Sequence, residues 1–258
     1  MANNTEPETK AGVSRAMANF TETFGLTWTA AVGVLLFIGV VFAAAIFWFI
    51  YSAPPRTITI TSGPPGSSFE RIAQAYRTNL ALASNGVTVK ILNSGGSIEN
   101  LQRLANPKLR VDIGFVQAGE TNDGSGVKLF SLGSVAYQPL MIFYRNPTPA
   151  GLLSEFAGKR LAIGPEGSGT RTLALMLLET NGITPGGATA LLDLDAEAAA
   201  KGLLDGKVDA VFLMGDSASS QTMRTLLHAP GIQLFGFAQA DAYTRRFAYL
   251  NKLQLPPC

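Results

Sequence analysis

The sequence predicts an α/β protein of two units, preceded by one N-terminal transmembrane helix. Three observations carry this. No charged residue occurs from Gly25 to Pro55. After that run, β-branched stretches alternate with helically spaced apolar residues over 56–117, and the alternation begins again near 159. The 258 residues suffice for one or two domains with sizeable cores.

Residues 1–24 are polar and lack periodicity, which predicts a short disordered cytoplasmic tail. Residues 25–53 predict the anchor. The stretch "LTWTAAVGVLLFIGVVFAAAIFWFIY" (26–51) exceeds the roughly 20 apolar residues that span a bilayer, and Trp28, Trp48 and Tyr51 stand at its ends as interfacial aromatics do. A cleaved signal peptide is the alternative, but its apolar region would run about 7–15 residues. Lys10 and Arg15 before the run, against Arg56 after it, lean toward a cytoplasmic N-terminus.

"RTITITSG" (56–63) reads as a strand ending in a turn. Phe69, Ile72, Ala73, Tyr76 and Leu80 then recur at helical spacing, and Ser67 with Glu70 fits a capping box. "VTVKIL" (87–92) is a second strand, "SIENLQRLAN" (97–106) a second helix and "VDIGFVQ" (111–117) a third strand. Strand and helix in alternation predict a parallel sheet with right-handed crossovers. This first lobe is expected over 56–136. "YQPLMIFYR" (137–145) reads as an apolar strand leaving the first sheet and leads into a second lobe, 137–238. There "KRLAIG" (159–164) is a strand, and the helix after it ends at Asn181-Gly182. "AEAAAKGLLDG" (196–206) follows as a helix, with "KVDAVFLMG" (207–215) and "GIQLFGF" (231–237) as strands. A last helix is expected over 241–253.

Composition excludes several functions. A net charge of +2 offers no basic footprint for nucleic acid. Cys258 is the only cysteine and His228 the only histidine, so the N/S ligands that zinc prefers are absent; no metal or other cofactor is expected. "GPEGSGTRT" (164–172) has the glycine spacing of a phosphate-binding loop, but Thr170 and Arg171 replace its Lys and Ser/Thr. "GDSAS" (215–219) lacks the final glycine of a nucleophile elbow, and a triad would need His228, in an apolar "LLHAP". No catalytic residue is assigned.

Taken in order, "ITSGPPGSSFERIA", "NSGGSIENLQRL", "IGFVQAG", "YQPLMIFY", "GPEGSGT" and "GKVDAVF" resemble the motifs of the TAXI family of TRAP-transporter solute receptors, a branch of the type II periplasmic binding proteins. The resemblance covers about residues 56–250. It implies a two-lobed fold of the type II periplasmic-binding-protein kind, and a receptor that is not an enzyme. Such a receptor binds a small organic anion such as a dicarboxylate or glutamate and hands it to a TRAP-type membrane permease. The lipid bilayer would be met through residues 26–51, at a bacterial inner membrane with the soluble part on the periplasmic side. An anchored sensing or interaction domain with the same fold and no transport role is the alternative. Gln138 stands where the family commonly has an acid. Family members also continue beyond the point matching Leu253, so residues 239–258 are expected to be an incomplete return to the first lobe.

The ligand-binding residues expected are those at helix starts on strand C-terminal edges, where open α/β sheets bind ligands. Ser168, Gly169, Thr170 and Arg171 would form an anion cradle: the first N–H groups of a helix are unpaired and its dipole favours negative charge. Glu166 is expected to face solvent. Ser67, Ser68, Ser97 and Asn100 mark two further helix starts, each also able to act only as a cap. Gln117 ends a strand, and Tyr137 would cover the ligand.

Overall fold

The computed structural model describes residues 28–52, 56–83, 86–120 and 127–254. It divides into two units, Met1–Pro55 and Arg56–Cys258. The tail expected over 1–24 lies outside the described residues.

In the first unit, α1 (Trp28–Tyr51) is a single helix. From Val32 to Tyr51 it is long and apolar enough, by length and composition, to cross a membrane. Apolar side chains project from every side of it and stay exposed within the unit, Phe49 at 78% and Ile50 at 68%. Away from its two ends a helix pairs its backbone groups internally, which lipid demands of any spanning segment.

The second unit opens with β1 (Thr57–Thr61), α2 (Ser68–Leu82), β2 (Thr88–Leu92), α3 (Ser97–Ala105) and β3 (Ile113–Gly114). The strands form one sheet in the order β2-β1-β3, with β1 parallel to both neighbours and Ile60 level with Ile91 and Ile113. Its core is small: Ile60, Phe69, Ala73, Val89 and Phe115, with the Phe69 and Phe115 rings stacked 5.6 Å apart. Of the strand expected over 111–117 only Ile113–Gly114 pairs, because the chain turns away once Phe115 has entered this core.

A second sheet contains β4 (Met141–Tyr144), β5 (Arg160–Ala162), β6 (Ala190–Leu192), β7 (Ala210–Leu213) and β8 (Gln233–Leu234), ordered β6-β5-β7-β4-β8. β5 runs parallel to β6 and β7, whereas β4 is antiparallel to β7 and β8. The helices are α4 (Gly169–Thr180), α5 (Ala196–Leu204), α6 (Ser220–Leu227) and α7 (Ala240–Arg246). Period-2 alternation sends Ile142, Leu161 and Phe212 into one core, and Phe143, Ala162 and Val211 into another on the opposite face. Full burial of Phe143 or Phe212 stabilises by about 1.5–3 kcal/mol each.

As with β3, β8 pairs only over Gln233–Leu234 of the strand expected over 231–237. β6 and α6 were not expected. α7 stops at Arg246 rather than running to 253, as Phe247 takes an extended backbone and packs against the larger core. The loops after β1, β2 and β3 of the smaller sheet meet those after β5 and β7 of the larger one. That meeting places the site.

Candidate ligand-binding junction

Two of the three helix starts at this junction are fixed by a serine cap. Ser67 Oγ accepts from Glu70 N–H at 3.2 Å, while the Glu70 carboxylate turns to Gly66 N–H at 2.6 Å, so one half of the predicted capping box forms. Ser168 Oγ accepts from Arg171 N–H at 3.2 Å and donates to Pro165 C=O at 2.7 Å. No side chain caps α3; it starts at Gly96, whose φ of +134° a residue with a Cβ rarely adopts.

The two sheets then bond to one another through these same helix starts. Ile98 and Glu99 N–H, in the first turn of α3, donate to Gly167 C=O at 3.0 and 3.3 Å. Ser68 N–H and its hydroxyl both reach Gly215 C=O at 2.7 Å, and the hydroxyl also lies 2.9 Å from Gln138 Oε1. The N–H groups that the sequence left open for a ligand are thus bonded across the junction.

At the head of α4 the acceptor is a carboxylate. Gly169 N–H donates to Asp216 Oδ2 at 2.8 Å and Thr170 Oγ1 to Asp216 Oδ1 at 2.7 Å. Ser217 Oγ lies 2.7 Å from Thr170 Oγ1, within hydrogen-bond distance. Asp216 is fully buried. Burial pushes its carboxyl above the ordinary aspartate range, against the opposing hydrogen bonds from Thr170, Gly169 and Ser217. Glu120 is raised in the same way, first by burial and then by the Asp216 charge, while a bond from Thr172 lowers it.

Ten residues were expected at the site, and the structure brings five of them together. Ser97, Gln117, Ser168, Gly169 and Thr170 converge on Asp216. Ser97 Oγ accepts from Gln117 N–H at 3.0 Å. Gln117 Oε1 is buried with no hydrogen-bond partner among the described residues, and it lies against Gly169. A Cβ on Gly169 would collide with it, and would stand 2.9 Å from Ser97 Oγ and 3.1 Å from Asp216 Oδ2.

The other five residues sit elsewhere. Ser67 is buried as a cap, and Ser68 holds Gly215. Asn100 is committed within the smaller sheet: it donates to Ser62 C=O at 2.5 Å and Phe115 C=O at 2.7 Å, and accepts from Thr61 Oγ1 at 2.6 Å. Arg171 pairs with Asp193, away from Asp216. Tyr137 is 80% exposed. Glu166 is exposed as expected. Beside the junction, Ser68, Tyr137, Gln138 and Gly215 border a groove of about 550 Å³ between α2 and α6.

Sequence reasoning missed Asp216. "GDSAS" was weighed only as a nucleophile elbow, although an acid just past a strand end is placed to face a helix N-terminus. Ser217 bonds Thr170 and not an imidazole, and His228 is exposed at the C-terminal cap of α6.

Residues 67–256 match the NMT1-like family. No curated protein matches the chain in sequence. Among solved structures, the fold is similar to the periplasmic aliphatic sulphonate binding protein SsuA from Escherichia coli, at 14% identity and a TM-score of 0.47. That match covers 75% of this chain and 64% of the other. The arginine-bound truncated ArgBP from T. maritima matches at 16% identity and 0.47, over 71% of this chain and 84% of that one. The effector binding domain of QuiR, in complex with shikimate, matches at 14% and 0.49, over 71% and 81%.

Proposed function

This chain belongs to the NMT1-like family, and we propose that it is a solute receptor that binds a small organic anion, a dicarboxylate or an acidic amino acid, at the junction of its two sheets. The observation that carries this is Asp216: a carboxylate already occupies the head of α4, bonded by Gly169 N–H and Thr170 Oγ1. Backbone N–H groups at a helix N-terminus and a hydroxyl beside them are the chemistry that recognises a carboxylate. In the present state the chain supplies that carboxylate itself. Opening of the junction frees Ile98 and Glu99 N–H from Gly167 C=O and Ser68 N–H from Gly215 C=O. Asp216 and α4 belong to the same sheet, and the solute carboxylate displaces Asp216 from Gly169 N–H and Thr170 Oγ1. Closure around it follows the hinge motion of two-domain receptors.

In this reading α1 anchors the receptor in a bacterial inner membrane with the second unit on the periplasmic side, and the bound solute is presented to a TRAP-type permease. The resemblance of the ordered sequence motifs to those of TAXI receptors supports the permease assignment. No covalent chemistry is assigned.

A thermal-shift screen of succinate, malate, glutamate and related acids on the full chain tests the reading. A ligand at 100 times its Kd stabilises by about 2.7 kcal/mol. The expected result is at least one acid that raises the melting temperature saturably, with the response lost in Thr170→Ala. A response unchanged in Thr170→Ala would place the ligand elsewhere.

A further inference from the structure

We propose that the groove between α2 and α6 is a second binding site, for an amphipathic organic anion: an apolar body carrying one carboxylate or sulfonate. It lies beside the junction, and the inference does not rest on the junction's reading.

Its size is that of a small-molecule site. A volume of about 550 Å³ falls in the usual range for ligand pockets, and Ile72, Met141, Met223 and Leu227 give it an apolar wall. Two methionines make that wall adaptable to irregular apolar shapes. Its charge is one-signed. Arg71 and Arg224 line it and no acid does, among the described residues. Neither arginine makes an ion pair among the described residues, whereas Arg103, Arg160 and Arg171 each hold a carboxylate.

Helical spacing explains why these two stay unpaired. The neighbours three and four positions from Arg71 are Ser67, Ser68, Gln74 and Ala75; those of Arg224 are Ser220, Gln221, Leu227 and His228. None is acidic. Glu70, next to Arg71, is turned to Gly66 N–H. Two uncompensated guanidinium groups over apolar carbon match a ligand with an anionic head and an apolar body, because arginine binds carboxylate and sulfonate oxygens through paired N–H groups. A purely apolar ligand would leave both charges unanswered, and a cation would be repelled.

The test is calorimetric titration of the full chain, in nanodiscs of phosphatidylcholine, with 4-phenylbutyrate, 4-phenylbutan-1-ol and acetate. Saturable one-to-one binding of 4-phenylbutyrate is expected, at least about tenfold tighter than of the alcohol or acetate. The Arg71→Ala/Arg224→Ala double variant is expected to weaken it at least about tenfold at unchanged melting temperature, since both side chains are exposed. Ala75→Trp, which fills the groove, is expected to abolish it, and Thr170→Ala to leave it unchanged. Equal affinity for acid and alcohol, binding indifferent to the arginines and to Ala75→Trp, or no binding at all would overturn the proposal. Loss in Thr170→Ala with the groove variants unaffected would assign the ligand to the junction instead and likewise overturn it.

Discussion

Asp216 is a fully buried acid bonded to the head of a helix, and its position makes stability depend on pH in a definite direction. Burial raises its folded-state pKa above that of the unfolded chain. The folded state therefore holds the proton more tightly, and the stability gained from it is fully present below the ordinary carboxylate range. It is lost as pH rises through the raised value. Asp216→Asn removes this titration; its amide oxygen can still accept from Gly169 N–H, and its NH2 in the other position can donate to Thr170 Oγ1. The stability of the wild type relative to Asp216→Asn is expected to be greatest in acid and to shrink as pH rises, measured by urea unfolding across that range. A difference that grows with pH would show that the hydrogen bonds outweigh burial. Glu120 is raised by burial in both proteins and by the Asp216 charge only in the wild type; that repulsion grows as pH rises and acts in the same direction. Gly96 shows a second demand on single residues at this site. A Cβ there would stand 3.1 Å from both Asp216 Oδ2 and the Ser168 Cα, so the two loops close only over a bare backbone.

At the scale of elements, local signals and tertiary context divide what could be read. α2 and α5 were legible because their caps, Ser67 and Asp195, and their apolar spacing are encoded within a dozen residues. β1, β2 and β7 were legible from β-branched or continuous apolar runs. β6 was not: Ala190–Leu192 is three residues long and is a strand only because β5 lies beside it. α6 is eight residues of mostly polar sequence, "SQTMRTLL", with only Leu226 buried, so its periodicity was too short to register. β4 was seen as a strand, but its direction, antiparallel to both β7 and β8, depends on long-range pairing. At the site, the glycine turns and capping serines were visible in the sequence. The bonds of Ile98 and Glu99 to Gly167, and of Gly169 to Asp216, link residues 47 to 69 positions apart and were not. α1 was the most legible element of all, since an uncharged apolar run needs no partner to identify it. It is expected to keep the protein in the membrane fraction through a carbonate wash, with external proteinase removing the mass of residues 56–258. A soluble product beginning near Ser52 would show instead that the run is a cleaved signal.

At the scale of the second unit, a small sheet with a five-residue core and a larger sheet with two cores are held together by bonds at strand ends and helix starts. Polar bonds of this kind, without a large apolar interface between the loops that make them, suit a contact that opens and closes. In the proposed reading Asp216 is an internal stand-in for the solute, and its removal separates two accounts of the junction. If the donors of α4 serve an organic anion, Asp216→Ser removes a competing carboxylate and a repelling charge. The most direct measurement is the Kd of the acid found by thermal shift, determined by calorimetry for the wild type and for Asp216→Ser. The account predicts binding at least about tenfold tighter in Asp216→Ser, the equivalent of one charge-assisted hydrogen bond released to the ligand. Weaker binding in Asp216→Ser would contradict it and would make Asp216 a direct partner of a donor group on the acid, such as the ammonium of an amino acid.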